Sequence, residues 1–238
     1  MKPSLHLKGN GTEHLGGALS QVWWKYGERH EGTIPIKRQR KYCSRRIIPF
    51  APHVKRFSEP CAVASVTNGN YFEAHASIGV WNPAAEDSEQ SVSQICLSSR
   101  HGDYANTIKA GWMADDYQDT GCYNLDCPGF VQVDCKVALG SPIQPISIYS
   151  GQQHDIYVSI IKDQVTGHWL LRIKDVNVGF WPKDLHFSRE IVSTKSVGCR
   201  TSAQMGSGHF PFKGFGKVSF FRNLKFLDGF IERDPENL

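Results

Sequence analysis

The chain has 238 residues, a formal net charge of +4, and 40% hydrophobic and 21% charged residues. That is the composition of a globular domain, not of a disordered tail. No apolar run approaches the ~20 residues that a membrane helix needs, and outside one basic block the chain is slightly acidic, so no membrane and no nucleic-acid partner is expected.

Taken from the start, Met1 to Lys8 lacks the apolar stretch that follows the basic residues of a signal peptide, so it is not expected to act as one. Asn10-Gly11-Thr12 is a glycosylation sequon, meaningful only if the chain is secreted. Between Glu31 and Glu59 there is no acidic residue, while Lys37, Arg38, Arg40, Lys41, Arg45, Arg46, Lys55 and Arg56 are basic. Such a block could grip nucleic acid or heparin. The favoured reading is a solvated linker open to proteases, because blocks of like charge repel and stay unpacked. Pro49, Pro52 and Pro60 punctuate it, and the chain is expected to divide there into residues 1–60 and a domain over 61–238.

Beyond residue 60, short segments alternate with period two. Phe72, Ala74, Ala76, Ile78 and Val80 fall on one face, with Glu73, His75 and Ser77 on the other. Between Phe130 and Val137 the reading places Val131, Val133, Cys135 and Val137 inward and Gln132, Asp134 and Lys136 outward. Ile156, Val158 and Ile160 repeat the pattern, as do Trp169, Leu171 and Ile173. This period marks half-buried antiparallel strands. Turn residues separate the strands at short intervals, which predicts an all-β antiparallel sandwich. The best helical candidate is Pro182 to Ile191.

Few motifs suggest chemistry. Gly206-Ser207-Gly208-His209 places a hydroxyl near a base, but a nucleophile elbow needs glycines two residues either side of the serine, so a tight glycine turn is the better reading. Trp112 and Trp181 flank turn residues and are the best candidates to line a cleft. The seven cysteines suit an oxidising compartment, and their odd number leaves one without an intrachain partner. Cys122, Cys127 and Cys135 fit no common zinc spacing, so a Cys122–Cys127 disulfide is favoured over a metal site. No metal and no cofactor is expected.

Several words together resemble one family. Gln204-Met205-Gly206-Ser207-Gly208-His209-Phe210, followed by Gly214-Phe215-Gly216-Lys217 and Phe221-Arg222-Asn223, resembles the C-terminal signature of the plant neprosin domain. Thr120-Gly121-Cys122-Tyr123-Asn124-Leu125, Gly129-Phe130-Val131-Gln132, Val80-Trp81-Asn82-Pro83 and Gly179-Phe180-Trp181-Pro182 occur in the family's order. Gln21-Val22-Trp23 and Glu31 to Ile36 are similar to the end of its activation segment, so residues 1–60 are expected to be a truncated pro-segment.

The resemblance implies a secreted glutamic endopeptidase, made as a zymogen, that cuts near proline in acid with two glutamates across a cleft. One ionised carboxylate would activate water while the other, protonated, would stabilise the oxyanion. It also implies a cleft containing Trp112, Gln204, Ser207 and His209. At the first glutamate's word this chain reads Lys109-Ala110-Gly111-Trp112. Where the second is expected, the interval is shortened to Thr194 through Cys199, read as a loop, and Glu190 is the one nearby replacement. The expectation is therefore an inactive member that takes a peptide, with Pro-containing sequences favoured. The alternative is a non-catalytic peptide- or glycan-binding sandwich.

Made under oxidising conditions, the chain should close the Cys122–Cys127 loop, a stabilisation of about 2–3 kcal/mol. Peptide mapping without reduction should find the two residues linked; recovering both as free thiols would exclude the bridge.

Overall fold

A computed structural model describes residues 20–21, 61–67, 70–85, 90–101, 104–114, 125, 129–183, 189–197, 204–229 and 231–233. Asn10, Cys122, Cys127 and the basic block from Lys37 to Arg56 lie outside them. The described strands are β1 (Ser20–Gln21), β2 (Cys61–Thr67), β3 (Tyr71–Gly79), β4 (Gln90–His101), β5 (Tyr104–Ala114), β6 (Val131–Gln132) and β7 (Ile143–Gln144). They continue with β8 (Asp155–Lys162), β9 (Trp169–Ile173), β10 (Val176–Trp181), β11 (Arg189–Val197), β12 (Phe221–Asp228) and β13 (Ile231–Arg233).

Pairing is antiparallel throughout. One sheet has the order β13-β12-β3-β8-β9-β10-β6, a second the order β2-β11-β4-β5, and β1 pairs with β7. The shared interior takes Ala74, Ala76 and Ile78 from β3, Ile156, Val158 and Ile160 from β8, and Trp169 and Leu171 from β9. From the other sheet come Ile95 and Leu97 of β4 and Ile108, Ala110 and Trp112 of β5. The chain is thus the all-β sandwich that the alternation predicts, its inward rows formed by every second residue. Burying each large aliphatic side chain of these rows contributes about 1.5–3 kcal/mol, so the register of each strand is firmly set.

Local chemistry closes the hairpins. Between β8 and β9 the Asp163 carboxylate accepts from the Val165 and Thr166 amides and from the Thr166 hydroxyl. The Thr166 hydroxyl is the main reason that the Asp163 carboxyl lies below its usual range. Gly167, at φ +75°, completes that turn.

Three sequence expectations need correction. Alternation between Phe130 and Val137 is inverted around Gln132: Val131 is 45% exposed and Val133 54%, while Gln132 is 5% exposed. The Gln132 amide explains the reversal, since its Nε2 donates to the carbonyl oxygens of Asp134 (2.9 Å) and Val137 (2.6 Å). These bonds offset the cost of burying the Nε2 donor, while Oε1 has no partner among the described residues. Second, the helix expected over Pro182–Ile191 is absent where the segment is described, because Arg189 to Ile191 open β11. Third, Thr194 to Val197 are not a loop. They belong to β11, which is hydrogen-bonded to β2 on one side and β4 on the other.

Gly179 sits where β10 changes register against β9. A Cβ there would meet Phe130 Cζ at 2.7 Å, Gln132 Cα at 2.8 Å and the Val131 carbonyl oxygen. Gly179→Ala should therefore lower the unfolding midpoint, at a cost of about 1–3 kcal/mol. An unchanged thermal midpoint would contradict the close approach of β6 to β10.

Candidate functional site

Lys109 lies on β5, an end strand of the smaller sheet, and is exposed. Its chain neighbours Ile108 and Ala110 belong to the core, which turns Lys109 to the outer face. Across the strands its row runs from Lys109 to Cys96 of β4, Ile191 of β11 and Ser65 of β2. Glu190 stands one row away, paired with Leu97 and Val66, and Leu97 in turn pairs with Ile108. All three partners on the Glu190 row are core residues. Adjacent rows of a sheet face opposite sides. Lys109 and Glu190 therefore share no row. The four strands of this sheet contain one carboxylate residue, Glu190.

Trp112 points the other way from Lys109 and is 7% exposed. Its indole Nε1–H donates to the Gly79 carbonyl oxygen at 2.8 Å, tying β5 to the end of β3 across the sandwich. The Gly79 amide donates to Phe220 O at 2.9 Å, and the next residue back, Ser219, donates its amide to Ser207 Oγ at 3.1 Å. Ser207 Oγ also accepts from the His209 amide at 3.3 Å. Gly206 and Gly208 have φ of +59° and +74°, the left-handed conformations a tight glycine turn requires. The Gly206 amide donates to the buried Ser91 Oγ. Gln204 pairs with Ala84, its Oε1 accepting from the Ala84 amide and its own amide donating to Ala84 O, both at 3.3 Å.

The structure therefore joins Trp112, Gln204 and Ser207 through Gly79, Ala84 and Ser219. The roles are those of a brace. Ser207 Oγ is engaged by two backbone amides, and the exposed His209 ring lies against Tyr149, with ring centres 4.5 Å apart. Among the described residues, no base is placed against that hydroxyl. Trp181, the other tryptophan expected near a cleft, is half-buried against Phe130, the rings 4.7 Å apart and edge to face.

A polar cluster on the larger sheet escaped sequence reasoning. On the face opposite the core, His75 Nδ1 lies 3.1 Å from Glu73 Oε1, and the His75 ring stands 5.4 Å from that of Tyr157. Arg222 pairs with the largely buried carboxylate of Asp155, and Lys225 lies 3.6 Å from Glu232. Burial, and then the negative charge of Glu73, push the Tyr157 hydroxyl from 10.0 up to about 12. Arg222 meets this row through the pairing of β12 with β3. The sequence does hold one signal, since Asp155, Tyr157 and Ser159 alternate with inward Ile156, Val158 and Ile160.

Two hollows stand apart from these residues. One of about 600 Å³ is lined by Asn82, Pro142, Ile143, Gln144, Pro145 and Ile146. Another of about 300 Å³ is lined by Asn70, Tyr71, Phe72, Lys162, Trp169 and Asp228. Among the described residues, no group of three or more His, Cys, Asp or Glu side chains is placed to hold a metal ion.

Compared with known families, residues 91–237 match the family described as Neprosin. The match starts inside β4 and runs past β13, so it includes Lys109, Trp112, Glu190, Gln204, Ser207 and His209 and leaves β1, β2 and β3 outside.

The raised Tyr157 value has a direct consequence for stability. Above pH 10 the unfolded chain releases this proton while the folded chain keeps it until about 12, so the unfolded state gains and stability falls with rising pH across that window. Titration of tyrosinate absorbance should show one late step near 12 that Tyr157→Phe removes. A full set of tyrosines ionising together near 10 would contradict the burial of this hydroxyl.

Proposed function

Because the chain belongs to the neprosin family, we propose that it is a non-hydrolysing member, a peptide-binding β-sandwich derived from a secreted glutamic endopeptidase that cuts near proline. The observation that carries this reading is the carboxylate inventory of the smaller sheet. Its four strands offer Glu190 alone, and Glu190 is out of row with Lys109. The hydrolytic chemistry needs two carboxyl groups within reach of one water, one taking its proton and the other supporting the oxyanion. A lysine ammonium has no lone pair with which to take that proton. It also places positive charge where positive charge must develop.

What remains is a surface that can hold a peptide without cutting it. Lys109, exposed on an end strand, offers a cation to a carboxylate or a backbone carbonyl, and the neighbouring edge of β5 can pair with an extended chain. Pro-containing peptides are the favoured ligands because the family resemblance points to them. The glycan-binding alternative finds little support among the described tryptophans, since Trp81, Trp112 and Trp169 are buried and Trp181 packs on Phe130.

The test is hydrolysis of a quenched-fluorescent peptide containing proline, between roughly pH 2.5 and 6, where a carboxylate pair would work. The natural chain should give no turnover, since loss of a positioned base alone removes roughly 10²–10⁴ in rate. Lys109→Glu should not restore it. Turnover by the natural chain that Glu190→Gln abolishes would overturn the proposal, because a carboxylate acting from another row would then be doing the chemistry.

A further inference from the structure

A hydrophobic surface stands at the loops before β8 and before β12, and it belongs to neither the core nor the Lys109 row. Phe210, Phe212 and Phe215 are 68%, 80% and 72% exposed. Three large aromatic side chains in six residues, each mostly in water, are far from the scattered single exposures normal on a protein surface. Beside them Ile146, Ile148 and Tyr149 are also exposed.

The two loops are fastened together. The Ser150 amide donates to Gly216 O at 2.8 Å, and Gln153 Nε2 donates to Gly216 O, Ile148 O and Gly151 O. The Tyr149 ring rests on that of His209. Within the second loop, Phe210 and Phe212 lie nearly parallel, with ring centres 6.0 Å apart. Lys213 and Gly214 close a single 3-10 turn onto the Phe210 and Pro211 carbonyls. The aromatic rings are thus held outward on a braced turn, and their exposure does not come from a loose end.

Along the two loop segments themselves, charge has one sign. No aspartate or glutamate occurs from Ile191 to Leu227 or from Cys135 to His154, whereas Lys213 and Lys217 flank the phenylalanines. Lys213 Nζ sits 5.5 Å from the centre of the Phe212 ring. The Lys213 ammonium is therefore placed beside the aromatic tip, and Lys217 follows two residues after Phe215. A groove for a protein partner would surround its ligand, but here the rings project, and a Cβ built at Gly214 would meet nothing within 4 Å. A projecting aromatic tip with a cationic collar suits a soft medium that is apolar inside and negative at its surface.

We infer that this double loop attaches the protein to anionic lipid bilayers, with Phe210, Phe212 and Phe215 entering the headgroup–acyl boundary. Lys213 and Lys217 then meet lipid phosphates and carboxylates, their stems lying along the apolar zone and their heads in water. Such attachment needs no spanning segment. Each lysine near a negative membrane surface is worth about fivefold in affinity, and the attraction weakens with salt. The inference is independent of the peptide-binding proposal, because the two surfaces share no residue.

Sedimentation of the full chain with vesicles tests it, comparing phosphatidylcholine alone with a phosphatidylcholine–phosphatidylserine mixture at low and raised salt. The chain should partition onto the mixed vesicles, weakly onto phosphatidylcholine, and less as salt rises. Replacing both lysines, Lys213→Gln with Lys217→Gln, should weaken binding to the mixed vesicles by roughly 25-fold, the product of two fivefold effects. Phe210→Ser with Phe212→Ser should abolish it, and thermal unfolding should show that the exposed sites tolerate the change. If the phenylalanine pair lowers the unfolding midpoint, the lysine pair carries the test alone. Absence of partition onto the mixed vesicles at low salt would overturn the inference. So would partition that both double variants leave unchanged, or a patch that captures a protein while ignoring vesicles.

Discussion

Ile95 and Leu97, two residues apart on β4, are wholly enclosed between the two sheets, and the placement of the smaller sheet depends on them. Each contributes about 1.5–3 kcal/mol by staying out of water. Shifting β4 by one residue would expose both and put Cys96 and either Gln94 or Ser98 in their place. Pairing on either side transmits this constraint. β5 must present Ala110 and Ile108 opposite them, and β11 must align Glu190 with Leu97 and Ile191 with Cys96. Trp112 then locks the arrangement to the other sheet, its indole N–H reaching Gly79 O.

The chemical character of the site follows from that register. Once Ile108 and Ala110 are inside, Lys109 is outside, and nothing about its own chemistry is needed to explain its exposure. Glu190 occupies the row of Leu97 and Val66 for the same reason. On this neprosin-family sheet Lys109 therefore stands on one row and the single carboxylate residue of the four strands, Glu190, on the next. The glycine turn from Gly206 to Gly208 does structural work. Its serine accepts backbone amides from two directions and its first glycine is anchored on Ser91.

Legibility in the sequence followed burial. β3, β8 and β9 could be read directly, since one face of each is apolar and the other carries Glu73, His75, Asp155 or Arg172. The segment around Gln132 could not, because period two shows that two faces exist without saying which is inside. There a single amide bonded to two carbonyls reversed the assignment. β11 was hidden by Thr194, Lys195 and Ser196, polar residues that suit a loop but are held by pairing, the first two on both sides and Ser196 against β4. β4 was obscured because Ser91 and Ser93 are buried small polar residues while Cys96, one row off the core, is buried too. The Arg222–Asp155 pair lay beyond reach, since only the register of β12, β3 and β8 brings those residues together.

The central claim is that Lys109 and Glu190 stand on adjacent rows of one sheet and share none. Carboxyl titration by NMR tests it directly in the Lys109→Glu variant, with and without Glu190→Gln. Two carboxyl groups sharing a site cannot both ionise freely, so one midpoint is driven upward. The account predicts that the carboxyl introduced at residue 109 titrates at the same pH whether or not Glu190 is replaced. A midpoint that falls by a unit or more on Glu190→Gln would place both groups over one water and contradict it.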